Sequence, residues 1–402
     1  MKKRLKILYL WLILSIIIVT VGCWDRRELD TIAIVTGMGI DTGEVDPEQI
    51  QVTAQIVKAA EFQGPTTTGG SGGGQGKPYL NVTNTAETVF DAIREFTHIV
   101  NRKLYFPHNQ ILIFGEQAAK NGLRRYIDFF LRDPEPRLIT WVAVAKGKAG
   151  DVLETKAELE QLPSLNISQL IEARAATSEV SAVNLRDFME RLMSRTTAPI
   201  ATLVEVKEHG EQKIAELVGT AVFKKDKMVG TLDKKETRGL LWVLNKIESG
   251  IIIVTCPECK DETDKTSLEI IRAKGKIVPE LKNGQLEITV KIKEEGNLGC
   301  KMCKQDVTNP SHWSALEKEK AQVIQQEVRA ALKKAQNLNA DIFGFGEAVH
   351  KKYPSLWKEW EGEWDKIFPK LKVNVWVEAK LQSTGMITMP ASPGWVGNED
   401  AT

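Results

Sequence analysis

The feature that most constrains this chain lies in its first 23 residues. Residues 2 to 6 (KKRLK) are cationic, Ile7 to Val19 are apolar apart from Ser15, and small residues precede Cys23, which is the three-part layout of a secretory signal. A spanning helix needs about 20 apolar residues to cross about 30 Å of hydrocarbon. This run stops short of that and meets Trp24, Asp25, Arg26, Arg27 and Glu28. Residues 1–22 therefore read as a cleaved signal peptide and the remaining body as extracytoplasmic. An uncleaved signal anchor is the alternative, and it leaves the body on the same side.

The cut site carries a second signal. Thr20 to Cys23 (TVGC) resembles the lipobox of bacterial lipoproteins, whose cysteine is acylated and becomes the new N-terminus. Gly22 beside Cys23 fits that pattern, whereas Thr20 stands where the lipobox has Leu. Acyl methylenes, at about 0.8 kcal/mol each when buried, replace the lost apolar segment as the anchor. The expectation is a lipoprotein carrying lipid (palmitate) on Cys23 and held to a membrane from outside the cytoplasm.

At 402 residues the chain exceeds one ordinary core, and two to three domains are expected. Its 42% apolar and 27% charged residues are those of a folded protein rather than a disordered or multi-span one. Residues 1–22 hold four basic and no acidic side chains, so the mature chain has 50 basic against 53 acidic residues. That balance leaves no footprint for nucleic acid.

In residues 23–205, segments around Ile32–Ile40 and Ile50–Val57 are rich in β-branched residues and read as strands. Ala86, Val89, Phe90, Ile93 and Phe96 recur at helical spacing, Ile111–Phe114 is a short buried strand, Tyr126–Leu131 reads as helix, Leu138–Ala145 as strand, and 162–195 as mainly helical. Between Gly64 and Pro78 the sequence GPTTTGGSGGGQGKP has nothing to bury and reads as a flexible loop. It is a poor phosphate loop, because Pro78 follows Lys77 where Ser or Thr and a helix are needed.

Residues 206–385 carry clearer patterns. Asp233 and Glu236 have capping-box spacing ahead of Leu240, Leu241, Val243, Leu244 and Ile247, with Gly250 as the stop. Leu286, Ile288, Val290 and Ile292 alternate with polar residues, and Asn283-Gly284 turns them back on the segment from Leu268 as an antiparallel hairpin. Ser314 and Glu317 are placed to cap a long helix bearing Leu316, Val323, Ile324, Val328, Ala331, Leu332 and Ala335. Leu371 to Leu381 alternates as a closing strand, and residues 386–402 form an expected disordered tail. The predicted class is α+β: several domains, mixed and antiparallel sheets packed with amphipathic helices.

Four cysteines remain beyond Cys23, as CPEC (Cys256, Cys259) and CKMC (Cys300, Cys303). Paired CxxC units fit two turns offering four thiolates to zinc, although the 40 residues between Cys259 and Cys300 exceed the usual gap. An even count in an exported chain favours disulfides over zinc, with free thiols the remaining alternative. Both main readings bring the motifs together, clamping the hairpin of 266–293 at its base. No thioredoxin-like context surrounds either motif, so a structural role is expected.

His98, His108, His209, His312 and His350 offer no i, i+4 metal face. The glycines of Phe343-Gly344-Phe345-Gly346 fit a tight turn better than a dinucleotide loop. Trp357, Trp360 and Trp364 recur at i, i+3 and i+7, a stripe that reads as core, or as a partner anchor if left exposed. No GxSxG, HExxH or kinase-type motif is present, and no catalytic residue is assigned.

Five stretches resemble one family, the C subunit of the spore germinant receptor, the Ger(x)C-type lipoproteins of endospore-forming bacteria. They are CWDRRELDTIAIVTGMGID at 23–41, KLYFPHNQILIFGE at 103–116, LRDPEPR at 131–137, SLEIIRAKGKIVPEL at 267–281 and ADIFGFGEAVHKKYPSLWK at 340–358. The resemblance implies a multidomain ectodomain tethered by lipid to the outer face of the inner spore membrane, working with a membrane-embedded A subunit and a transporter-like B subunit. It implies an accessory role in receptor assembly or signalling during germination, no enzymatic activity and no cofactor beyond the lipid. Only Cys23 carries over as a functional residue. The competing expectations are an extracytoplasmic solute-binding lipoprotein, which needs a deep cleft with convergent polar groups, and a zinc or thiol redox lipoprotein built on the CxxC pairs.

Overall fold

The structure, a computed structural model, describes residues 3–7, 9, 11, 30–58, 77–157, 159–256, 264–302 and 310–384. Cys23, Cys259, Cys303, most of the Gly-rich stretch 64–78 and the tail 386–402 lie outside the described residues.

Two sheets organise the described chain. The first has nine strands, in the order β3 (Tyr79–Ala86), β2 (Ile50–Val57), β1 (Ile32–Thr42), β5 (Ile111–Phe114), β6 (Trp141–Lys146), β7 (Ile200–His209), β8 (Gln212–Lys224) and β9 (Lys227–Leu232), with β4 (Lys103–Tyr105) beside β1. The run β1-β5-β6-β7 is parallel, and both outer wings are antiparallel.

The apolar run Ile111–Phe114 has no polar side because both of its faces are covered. Ile111 and Ile113 join Ala143, Ala145 and Val204 under α4 (Ala149–Leu153) and α5 (Pro163–Ala173). Leu112 and Phe114 join Val142 and Val144 on the opposite face, against α1 (Val89–Glu95), α2 (Glu116–Asn121), α3 (Arg124–Arg132) and α6 (Leu185–Met193). A Cβ on Gly37 would stand 2.5 Å from Ser164 Cβ, and one on Gly39 3.2 Å from Ala149 Cβ. The TGMG segment is therefore bare because α4 and α5 lie directly on the β1 backbone.

The second sheet runs β10 (Gly250–Thr255), β11 (Lys265–Lys282), β12 (Gln285–Lys301), β13 (Lys372–Ser383). Asn283 and Gly284 have φ of 51° and 77°, the left-handed pair that a two-residue hairpin between right-twisted strands requires. Helix α7 (Lys234–Val243) opens on the expected capping box: Glu236 N–H donates to Asp233 Oδ1 at 2.8 Å and Asp233 N–H to Glu236 Oε2 at 3.0 Å. The long helix α8 (Pro310–Asn337) lies across this sheet with α7 alongside.

Two expectations need correction, and the pairing of the closing strand, which its alternation left open, is now given. Ser314 does not cap α8, because Pro310 to Trp313 are already helical; its spacing to Glu317 is that of one turn inside a helix. Helix α7 ends at Val243, and Ile247 lies beyond it. The closing strand β13 pairs in parallel with β12, since α8 carries the chain back to the same end of the sheet.

Strand β7 spans the 205/206 position, and β8 and β9 complete the first sheet beyond it. The larger core continues from Ala33 to Leu381, taking in Ile288, Val290 and Ile292 of the second sheet. The fold is α+β, with mixed sheets joined through one shared core.

Candidate functional site

Folding gathers the family-like stretches into two places. The first two become one unit, with Ile32–Ile34 of β1 pairing with Lys103–Tyr105 of β4 and Gly37–Ile40 pairing with Ile111–Phe114 of β5, all in parallel. The third closes on them through an ion pair of 3.0 Å between Lys103 and Glu135. The last two meet where Lys352 Nζ donates to the Pro279 carbonyl at 2.6 Å.

The first unit opens a cleft of about 640 Å³ at the carboxyl ends of the parallel strands, lined by Asp41, Thr42, Glu44, Glu116, Lys120 and Lys148. This is the end of an open parallel sheet where ligands bind. Its charges are nonetheless answered internally. Asp41 accepts the N–H groups of Ala149 (2.9 Å) and Gly150 (3.0 Å), and burial raises its pKa against those two bonds. Glu116 pairs with Lys120 at 2.6 Å, and Glu44 with Lys148. Asp41 thus acts on α4, holding its first turn, and the cleft presents paired charges rather than a poised acid and base.

A more apolar opening of about 500 Å³ lies between α1 and α3, lined by Val89, Phe90, Phe129 and Pro134 with Arg125 and Arg132 at its rim. Phe90 is 46% exposed and its ring lies 5.8 Å from Phe129, with the Arg94 guanidinium 4.9 Å above it. Asp133 and Pro134 of the LRDPEPR stretch form one wall. An exposed aromatic in an apolar depression ringed by arginines is the composition of a protein-binding anchor point.

The stretch 340–358 is a joint. Asp341, buried at 6% exposure, accepts the N–H groups of Gly344 (2.9 Å), Phe345 (3.1 Å) and Gly346 (2.8 Å) and the Trp364 indole N–H (3.2 Å). Burial pushes its carboxyl up to about 6 even so. Gly344 has a φ of 76°, the left-handed turn that wraps the backbone around the carboxylate ahead of α9 (Phe345–Lys352).

Across the joint, Arg191 of α6 donates to the carbonyls of Ala198 and Ile342 at 3.0 Å each, and the Thr196 hydroxyl to Glu347 at 3.0 Å. An opening of about 400 Å³ sits there, with Ser194, Thr196, Thr197 and Arg195 on one side and Asn339 and Asp365 on the other.

Two of the three stripe tryptophans are core, and Trp360 is half-buried against them. Trp357 and Trp364 are 3% and 6% exposed with rings 5.2 Å apart, although a turn of 3-10 helix separates α10 (Pro354–Trp360) from α11 (Trp364–Ile367). His350 stacks on Trp357 at 5.8 Å, and His108 lies 5.8 Å from the Tyr105 ring.

Among the other sequence candidates, Cys256 is buried, disulfide-bonded, and 3.1 Å from the Thr266 hydroxyl. Cys300 is a free, exposed thiol. Both sit at one end of the second sheet, on β12 and at the end of β10, flanking the first residues of β11. Cys23, Cys259 and Cys303 fall outside the described residues. Among the described residues no three His, Cys, Asp or Glu side chains converge as a metal site.

Sequence reading passed over the buried charges. Lys320 and Glu327 of α8 lie at 0% and 5% exposure, and Glu327 holds Arg238 of α7 at 3.0 Å and the Trp242 indole at 2.9 Å. A signal existed: Lys320 stands four residues from both Leu316 and Ile324, on the stripe that faces the core.

Comparison with known proteins gives the site its context. Residues 218–385 match the family model described as "Spore germination B3/ GerAC like, C-terminal", and residues 25–206 match "Spore germination protein N-terminal domain". Spore germination protein KC of Bacillus subtilis (strain 168) is 28% identical, over 94% of this chain and 96% of that protein. Spore germination protein YndF of the same organism is also 28% identical, over 96% and 99%. The crystal structure of the GerBC protein superposes with a TM-score of 0.54 at 20% identity, covering 89% of this chain and 99% of that one, a likeness of fold.

Proposed function

The chain belongs to the spore germinant receptor C-subunit family and serves in spore germination, and from that premise we propose that it is a lipid-anchored, non-enzymatic subunit of a nutrient germinant receptor, required for assembly or signalling with membrane-embedded partner subunits. The single observation that carries this reading is the end-to-end match: germination proteins align over 94% and 96% of the chain, through both sheets and the joint between them. The cationic and apolar leader ending at Cys23 supports an acyl anchor on the outer face of the inner spore membrane. A tether of that kind raises the local concentration of the body beside its partners, so modest contacts suffice.

The α1/α3 groove, with half-exposed Phe90 beside Phe129, is the surface best fitted to a partner subunit. The paired charges of the Asp41 cleft support a recognition role without chemistry, and the covalent lipid is the only prosthetic group the reading requires. Zinc at the CxxC pairs is the less favoured alternative to their oxidation.

Deletion of the gene tests the reading. Spores lacking it should lose the response to at least one nutrient, regain it with the native gene, and fail to regain it with Cys23→Ala. Normal germination of the deleted strain with every nutrient tested contradicts the proposal.

A second reading, an extracytoplasmic solute-binding lipoprotein, draws on the opening of about 400 Å³ lined by Ser194, Thr196, Thr197 and Arg195. Its hydroxyls and guanidinium are the polar groups such a site needs.

A further inference from the structure

The outward face of the four-stranded sheet carries a cluster of exposed lysines, most of them without an acidic partner among the described residues. Lys274 and Lys276 of β11 stand directly opposite Lys293 and Lys291 of β12, and Lys291 in turn stands opposite Trp376 of β13. All four lysines are exposed, and Trp376 is 46% exposed. The alternate β12 residues Ile288, Val290 and Ile292 point the other way into the core with no exposure.

Four acids of this face are already taken, and Glu269, further along β11 opposite Ile251, makes no ion pair among the described residues. Glu378 pairs with Lys293 at 3.2 Å, Glu287 with Lys372 at 2.7 Å, Glu280 with Lys282 at 3.4 Å and Glu295 with Arg272 at 3.9 Å. Lys274, Lys276 and Lys291 make no ion pair or hydrogen bond among the described residues. Like charges directly opposite on neighbouring strands are destabilising, so the arrangement costs the free protein and is relieved by an anionic surface laid over it. Toward β10 the same face exposes Ile271 (48%), Ile251 (45%) and Ile253 (59%).

We propose that this sheet face binds an anionic lipid surface, with the lysines on acidic headgroups and Trp376 at the headgroup boundary. Lysines beside an acidic leaflet are drawn to it, and the amphipathic indole settles at the interface. The exposed isoleucines, which an acidic polypeptide would leave unanswered, fit a lipid surface. The contact goes beyond the acyl anchor and does not depend on it, so the two are separable by experiment.

The test uses the unacylated chain begun at residue 24, which keeps every residue of both cores. It is floated with vesicles of phosphatidylcholine alone or mixed with phosphatidylglycerol. Binding to the mixed vesicles only, weakened by salt and by about 25-fold in Lys276→Gln/Lys291→Gln, is the expected result. Lys276→Arg/Lys291→Arg keeps the charge and should bind as the native chain does, and Trp376→Ala should bind more weakly. No flotation with the mixed vesicles, equal binding to neutral ones, or binding that survives the glutamine pair overturns the proposal. Capture by polyglutamate without vesicle binding overturns it in favour of an acidic polypeptide.

Discussion

Lys320 Nζ lies 2.6 Å from Glu294 Oε1, with neither side chain exposed to solvent. The ammonium also donates to the Glu269 carbonyl at 3.1 Å, so one helical cation fastens α8 to both long strands of the second sheet. Burial raises the Glu294 carboxyl to about 7 against the pull of Lys320, and it lowers the Lys320 ammonium despite Glu294. Desolvation therefore outweighs attraction at each partner, and the pair fixes how α8 seats more than it adds to stability.

Removing one partner should be far worse than removing both. Lys320→Ala strands the Glu294 carboxylate and is expected to cost about 3–5 kcal/mol, whereas Lys320→Met with Glu294→Leu should be near neutral or stabilising. Urea unfolding of the three proteins checks this, and equal losses in the single and double variants would contradict it.

Asp341 gives the pH dependence a sign. Its folded pKa of about 6 stands above the unfolded value near 3.8, so the folded state holds a proton that the unfolded state has released between those values. The stabilisation from this group is whole below about 3.8, declines as pH rises through about 6, and is constant above. Thermal unfolding from pH 4 to 7 should show a decline that Asp341→Asn makes shallower, the remainder coming from Glu294, raised to about 7; an identical slope in the variant would refute it.

Cys256 is disulfide-bonded at the sheet end that also bears Cys300. Reductant should lower the stability of the purified protein by about 2 kcal/mol, and a chelator should leave it unchanged. Stoichiometric zinc in protein purified without chelators would reverse that assignment.

The opening at Ser194, Thr196 and Thr197 separates the receptor-subunit reading from a solute binder. A solute at about 100 times its dissociation constant adds about 2.7 kcal/mol of stability, and the receptor-subunit reading expects no such gain from any germination nutrient. A saturable rise in melting temperature with one nutrient would favour the solute binder.

What the sequence made legible was local. The Asn283-Gly284 turn and the Asp233–Glu236 capping box stand where their residues require them, because turn and cap chemistry acts over four residues. The order β1-β5-β6-β7 and the core shared by both sheets were not legible, since they join residues tens to hundreds of positions apart with no local mark. Alternation gave β13 its strand but not its parallel partner. At the site, the family-like stretches were visible as words, but not that Lys103 would meet Glu135 or Lys352 the Pro279 carbonyl. The buried charges of α8 carry no separate mark in the sequence, because Lys320 shares the helix's apolar stripe with Leu316 and Ile324.

The proposed anchor is a single acylated sulfur, that of Cys23, and mass spectrometry of the native protein's N-terminal peptide tests it most directly. The expected spectrum begins at Cys23 and carries the added mass of acyl chains. A peptide that begins at Met1, or one that shows an unmodified thiol at Cys23, would contradict it.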